Sequence, residues 1–502
     1  MKLRAWYVAV GIPTMGFALF GCPTFGADIC IGDQCGSLAD GGGDAADGQV
    51  VPTGCDLTKD PKDSAACVDE SIGLFVSAGG SDSNAGTKTS PLKSITAALG
   101  KTNAQHTRVY VCEGTYGETV KVSSAVGIYG GFHCADWSYD GNQGKVGPAG
   151  QGYALDIENV SGAVTVEDLE FDAQKGQSPG DSSIAVFVAT STATLNRVVA
   201  TAQEGAAGAE AVATSNYSPD GGSTAGIMAA TNTGGIACVN FCTDGTTSTG
   251  GHGGTGVDTG ATPGGGADGG PTIPQDPVGA DGFGGAGKLV GCNPGDPGSK
   301  ASAADGGATG SSISGRLSAA GWTGVAANSG SSGGPGQGGG GGSGGINTIV
   351  GDNKAGGGGG GCGGCGGAGG KPGGSGGSSF AVLAYEATVT LASCVLQSAS
   401  GGDGKVGGPG QAGQAGGVYG DHATGGNGCQ GGSGGGGGGA GGGGGAGGNS
   451  IAVGYVGTAP TNTSSTLTPG TAGQPGAGGT GAAGNNGLAG AAGIAAQMQE
   501  LP

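Results

Sequence analysis

The chain has 502 residues, 130 of them glycine, with only 10 Phe, 10 Tyr and 3 Trp. Glycine loses the most conformational freedom on ordering and brings no side chain to bury, which disfavours one conventional core and favours a compact region with long glycine-rich outgrowths. The formal net charge of −19, from 18 Lys+Arg against 37 Asp+Glu, leaves no basic patch for phosphates and argues against nucleic acid as a partner.

Residues 1–21 read as an export signal. Lys2 and Arg4 form a positive start, and Ala5 to Phe20 is mostly apolar. Gly11, Pro13 and Gly16 interrupt a stretch already short for a membrane span. Its end, Leu19-Phe20-Gly21-Cys22, resembles the lipobox of bacterial lipoproteins, although Phe20 stands where a small residue is usual. The resemblance implies lipidation of Cys22 and attachment to a membrane through that N-terminal lipid. Pro23 follows, with no aspartate there to signal inner-membrane retention. Of the 14 cysteines, lipid on Cys22 leaves an odd thirteen, so at least one thiol is free or pairs between chains.

Residues 22–70 form a polar, Gly- and Asp-rich tether in which Cys55 and Cys67 bracket a turn and suit a local bridge. A β-helix core is expected over 71–205. Gly73 to Ser77 reads as a strand, followed by a loop over 79–87, and Ser90-Pro91 starts a short helix with Ile95, Ala98 and Leu99 on one face. Three strand-like runs follow: Arg108 to Cys112, Thr119 to Val122 and Val126 to Phe132.

Several of these residues carry a resemblance. Phe75-Val76-Ser77, the Gly-Ser-Asp-x-Asn-x-Gly-Thr loop at 80–87, Pro91, Val109-Tyr110-Val111, Gly114-Thr115-Tyr116 and Ile128 to Phe132 resemble a short pectin-lyase-like domain of bacterial surface proteins. The resemblance implies an all-β fold, a right-handed parallel β-helix, of generally unassigned function. The whole chain is similar in composition to glycine-rich lipoproteins of the PGRS type.

Internal repetition supports stacked coils independently. Val164-Thr165-Val166 is echoed 29 residues later by Ala193-Thr194-Leu195. Ile184 to Phe187 is echoed by Phe380 to Leu383, within a further coil at 379–400, and a weaker copy starts at Ile451 within 450–467. Glycine-rich insertions at 206–378 and 401–449, and a Gly/Ala-rich segment at 468–502, then leave one corner of a solenoid. Coils stack about 4.8 Å apart, within the roughly 4.4–6.8 Å reach of a disulfide. Cys112 and Cys134, 22 residues apart, are therefore expected to bridge neighbouring rungs.

The insertions place glycine at every third position, at 361 to 376, 401 to 416 and 478 to 493. Three residues per turn is the period of polyproline II, which has no internal hydrogen bonds. Disorder, a packed bundle of glycine helices and a collagen-like arrangement all remain open. In a threefold helix Cys362 and Cys365 lie about 9 Å apart, so each needs a distant partner such as Cys429; disorder allows a local 362–365 bridge.

Catalytic chemistry is hard to find. Gly373 to Gly377 fits a serine-hydrolase elbow by letter, but no strand precedes Ser375. Gly251-His252-Gly253 matches one element of polygalacturonases without the paired aspartates, and Asp168 with Arg197 is the only loose lyase-like pair. Cys238-x3-Cys242 with Cys362-x2-Cys365 suits disulfides better than zinc in an oxidising compartment. The expectation is a cell-surface structural or interaction protein with no catalytic, cofactor or metal residues. Its partners would be the membrane, a surface polysaccharide, extracellular matrix or another copy of itself. The competing reading is a carbohydrate-active enzyme on the β-helix.

Overall fold

In the computed structural model, residues 50–218, 225–230, 232–272, 282–287, 291–304, 307–347, 354–423, 429–431 and 435–502 are described. β-Branched and alternating apolar residues form short strands that turn through three faces per coil. The first face is a seven-stranded sheet: Gly73–Val76, Arg108–Cys112, Val126–Phe132, Ala163–Glu167, Thr192–Asn196, Thr388–Ala392 and Thr461–Thr463. The second holds Gly114–Tyr116, Gly144–Val146, Leu169–Asp172, Val199–Ala202, Val395–Ser398 and Thr466–Thr468. The third holds Val120–Val122, Leu155–Glu158, Ser183–Ala189, Ser379–Tyr385, Ser450–Val456 and Ala495–Glu500. Neighbours within all three sheets are parallel, the arrangement of a parallel β-helix.

Register stacks like on like. Val109, Ile128, Val166, Leu195 and Leu391 are successive partners and fully buried. They form a column with Phe171, Ala200 and Leu396 from the second face and Ile157 and Val188 from the third. Burying each large side chain is worth about 1.5–3 kcal/mol. The N-terminal end is closed by the helix Ile95–Leu99, whose Ser94 side chain accepts from Ala97 N and whose Ile95 and Ala98 are buried. Glu118 accepts the otherwise orphaned N–H groups of Ile95 and Thr96 at 2.8 and 2.9 Å.

From Leu155–Glu158 onward, two of the three corners carry a left-handed residue. Between the first and second faces these are Asp168, Arg197, Ser393 and Ser464, with φ of 52°, 54°, 52° and 57°. Between the third and first they are Asn159, Thr190 and Glu386, at 53°, 48° and 45°. The conformation costs roughly 1–2 kcal/mol for a residue with a Cβ, and except at Ser464, in the last coil, each of these corner N–H groups is tied to the next coil, as in Asp168 N to Asn196 O at 3.1 Å and Arg197 N to Ala392 O at 2.8 Å.

The third corner, from the second face to the third, is where the glycine-rich segments leave in three successive coils, between Ala202 and Ser379, Ser398 and Ser450, and Thr468 and Ala495. Their backbones bond to one another in steps of three residues. Gly330, Gly333, Gly336, Gly339 and Gly342 donate in turn to Gly370, Gly367, Gly364, Gly361 and Gly358. Successive residues of one run address different neighbours: Gly439 donates to Gln411, Ala440 to Ser331 and Gly441 to Asn485. A Cβ on Gly364 would lie 1.9 Å from Gln414 O, and one on Gly367 1.9 Å from Gln411 O, so only glycine permits the approach. One hairpin, Gly315–Ser318 with Gly321–Gly324, folds back over the third face. There Leu317 and Trp322 join Ile184, Phe187, Phe380, Leu383 and Ile451 in a second apolar cluster.

Several elements differ from expectation. The helix begins at Ile95, four residues beyond Pro91, because Ser94 supplies the cap. Gly114–Tyr116 and Gly144–Val146 are strands that their small, mixed residues do not announce. Ala495–Glu500, inside the expected Gly/Ala-rich tail, is the last strand of the third face and is held there by pairing with Ser450–Val456.

Candidate functional site

Charged side chains gather at three places on the coils. At the corner between the first and second faces, Arg197 Nε and Nη2 donate to the two oxygens of Asp168, both at 2.8 Å. Nη2 also reaches Glu167 at 3.0 Å, and Nη1 reaches Asp60 at 2.9 Å. Left-handed backbone at both Asp168 and Arg197 stacks the two side chains one coil apart. Three carboxylates share one guanidinium. Burial, and then the Asp60 charge, push the Glu167 carboxyl up to about 7, while the acids hold Arg197 firmly protonated. This is a bidentate ion-pair clamp that pins the 55–67 tether to the coils. Each acid is occupied by the same arginine, which leaves no separated acid and base.

On the second face an open groove of about 410 Å3 is lined by Thr115, Lys145, Asp172, Gln174, Lys175 and Gln203. Thr115, Lys145 and Glu170 are register partners pointing outward. Lys145 bonds Asp172 and also Glu170, the latter at 3.0 Å, and both raise the affinity of its ammonium for the proton. On the third face Lys121 bonds Asp156 at 2.9 Å and Glu158 at 3.2 Å in the same way. Both are lysine–carboxylate ladders between adjacent rungs.

The motifs singled out in the sequence fall apart spatially. Ser375 donates to Val325 O at 2.6 Å and accepts from Ala446 N at 3.1 Å, as a staple between glycine runs. His252 lies on a glycine run with Nδ1 3.2 Å from Gly253 O. Asp82, in the 79–87 loop, accepts from Lys93 N at 2.9 Å and Ser94 N at 2.8 Å, ordering the loop against the helix cap. Among the described residues, no cluster of His, Cys, Asp or Glu could hold a metal ion, and no helix is long and apolar enough to cross a membrane.

The cysteines are largely paired. Cys55 is bridged to Cys67, and Cys112 to Cys134, with Cα separations of 4.6 and 5.0 Å; the second bridge joins rungs, since Cys112 is the register partner of Phe132. Cys362 and Cys365 are not bonded to each other, and neither takes Cys429. Cys362 bridges Cys238, Cys365 bridges Cys242, and Cys429 bridges Cys292. The strand Val239–Phe241 lies along the 357–377 run, where Asn240 donates to Gly363 O, and brings its flanking Cys238 and Cys242 to Cys362 and Cys365, which local spacing around 362 and 365 does not reveal. Cys394 is free and buried. The lipidation residue expected at Cys22 lies outside the described residues.

Residues 78–169 match a family described as a protein of unknown function, DUF1565. That segment holds the left-handed corner at Asp168 and overlaps the stretch whose motifs resemble a β-helix domain. No curated protein matches the chain. Among solved structures, a GH136 lacto-N-biosidase from Eubacterium ramulus is similar at 19% identity and a TM-score of 0.21, over 26% of this chain and 27% of that one. What is established is a nearly all-β chain of stacked parallel strands, with disulfides, in which residues 78–169 match that family of unknown function.

Proposed function

We propose that this is an exported structural or interaction protein of the bacterial cell envelope, held by lipid on Cys22. Its parallel β-helix acts as a spine, and its glycine-rich branches form a bundle of threefold helices of the polyglycine type. The single observation that carries the reading is the three-residue step of the hydrogen bonds between glycine runs, in which Gly330, Gly333 and Gly336 meet Gly370, Gly367 and Gly364. A bundle of this kind offers broad, flat, polar faces without deep pockets, which suits many weak contacts with surface polysaccharide or matrix. The five disulfides among the described residues agree with an oxidising compartment. Likeness to PGRS-type lipoproteins adds compositional support.

The test is metabolic labelling with a fatty-acid analogue, comparing the wild type with Cys22→Ser, followed by fractionation of the envelope. Label on the wild type alone, with the protein in a membrane fraction, is expected. An unlabelled protein in the cytosol would overturn the proposal. Turnover of a uronate polymer that disappears in Asp168→Asn would favour the carbohydrate-active enzyme instead.

A further inference from the structure

The two ends of the β-helix are unlike. At the N-terminal end the free edge of Gly73–Val76 is already occupied: Phe75 N donates to Gly86 O, Leu92 N donates to Phe75 O, and Ser77 N donates to Leu92 O, all within 2.8–2.9 Å. At the other end Thr461–Thr463, Thr466–Thr468 and Ala495–Glu500 each pair on one side only. Among the described residues no further strand pairs with their open edges, although Ala496 packs against the cluster of Leu317 and Leu501 on the outer side of the third face. The apolar column stops at Leu467 and Met498, which are only partly buried. Solenoid ends and sheet edges are normally capped, charged or broken by proline or a bulge, because unpaired N–H and C=O groups template further pairing. Here the three end strands contain one ionisable side chain, Glu500, in a chain of net charge −19.

We propose that this end pairs with the same end of a second copy. Head-to-tail stacking is blocked by the closed N-terminal end, so the contact closes on itself about a twofold axis and no filament grows. Strand lengths fit that symmetry. Thr461–Thr463 and Thr466–Thr468 have three residues each and lie across from one another's equivalents, while the six-residue Ala495–Glu500 pairs antiparallel with its own copy. Antiparallel overlap sets each Glu500 beside the start of the opposing strand, away from its mate. Half-exposed Leu467 and Met498 then complete one continuous column. Earlier rungs of the same second and third faces carry lysine on their outer rows, at Lys145 and Lys121, but the end rungs of the first and second faces carry threonine.

The inference extends the structural reading of the protein, but its test is independent of where the protein resides. Sedimentation of the purified full chain over a wide micromolar range should give a dimer. Thr463 and Thr466 point outward, as partners of Ala392 and Val395. The double variant Thr463→Lys/Thr466→Lys sets lysine against lysine across the junction and should weaken dimerisation about tenfold or more. The variant Thr463→Lys/Thr466→Glu sets lysine against glutamate and should keep it. Amides of 461–468 and 495–500 should lose hydrogen-exchange protection on dilution of the wild type, a readout that does not depend on either variant folding. A monomer at all concentrations, or a dimer indifferent to the paired lysines, would overturn the proposal.

Discussion

Phe187 and Leu383 are direct register partners on adjacent strands, although 196 positions separate them in the chain. The intervening segment leaves the spine after Ala202 and returns at Ser379 without disturbing the stack, since Ala193 and Val389, and Ala200 and Leu396, remain paired on the other two faces. From the strand Leu155–Glu158 onward left-handed residues stand at two vertices, and the three glycine-rich excursions use the third. The stability of the coils therefore depends on local corner contacts, and that of the branches on contacts with each other.

The corner cluster predicts a pH dependence. Glu167 has its carboxyl pushed up to about 7 from an ordinary value of 4.5, chiefly by burial. Between those values the folded protein holds a proton that the unfolded chain has released, so this residue makes stability fall as pH rises through the window and leaves it flat above. The loss should be about 2–3 kcal/mol. Urea unfolding of the wild type and Glu167→Gln from pH 5 to 8 should show a gap that opens in favour of the variant as pH rises. Parallel curves would refute the assignment.

Removing Arg197 should be worse than neutralising one of its partners. Arg197→Gln leaves Asp60, Glu167 and Asp168 without their shared guanidinium, and breaking a buried charge cluster costs about 3–5 kcal/mol. The tether should loosen with it. Limited proteolysis is expected to cut near Asp60 in the variant and to spare the wild type.

Glycine in the central runs is required by the approach of neighbouring carbonyls. Gly367→Ala would place its Cβ 1.9 Å from Gln411 O, whereas Gly150→Ala meets nothing within 4 Å. Hydrogen exchange should show lost protection over 405–420 for the first variant and none for the second. Equal protection in both would mean that the runs are not held in contact in solution.

The paired bridges Cys238–Cys362 and Cys242–Cys365 should act non-additively. Each closes a loop of similar length, with sequence separations of 124 and 123. Either bridge alone already restricts the unfolded chain, so deleting one should cost little, while deleting both should release loop entropy worth about 5 kcal/mol. Denaturant midpoints of the single and double serine variants test this directly; two equal and additive losses would count against it.

Much of the spine was legible in the sequence because register and repetition are the same thing in stacked coils. The echo of Val164 in Ala193, and of Ile184 in Phe380, marks true strand partners. Val126 to Phe132 is a strand with its expected bounds, for its apolar residues and glycines leave no competing helix period. What could not be read was set by distant contact. Ala495–Glu500 has no β-branched residue and is a strand only through Ser450–Val456. The clamp on Arg197 needed Asp60, 137 positions away, and the partners of Cys362 and Cys365 lay more than 120 positions upstream.

The single open vertex has a consequence for how such a molecule can change. A branch that starts and finishes at one vertex can be extended by a triplet, adding about 9 Å of reach, while no rung shifts and no interior side chain meets a new neighbour. Length variation, through slippage in glycine-coding repeats for example, would thus be absorbed where it does least harm. The length of the branches could drift freely while the scaffold stays the same.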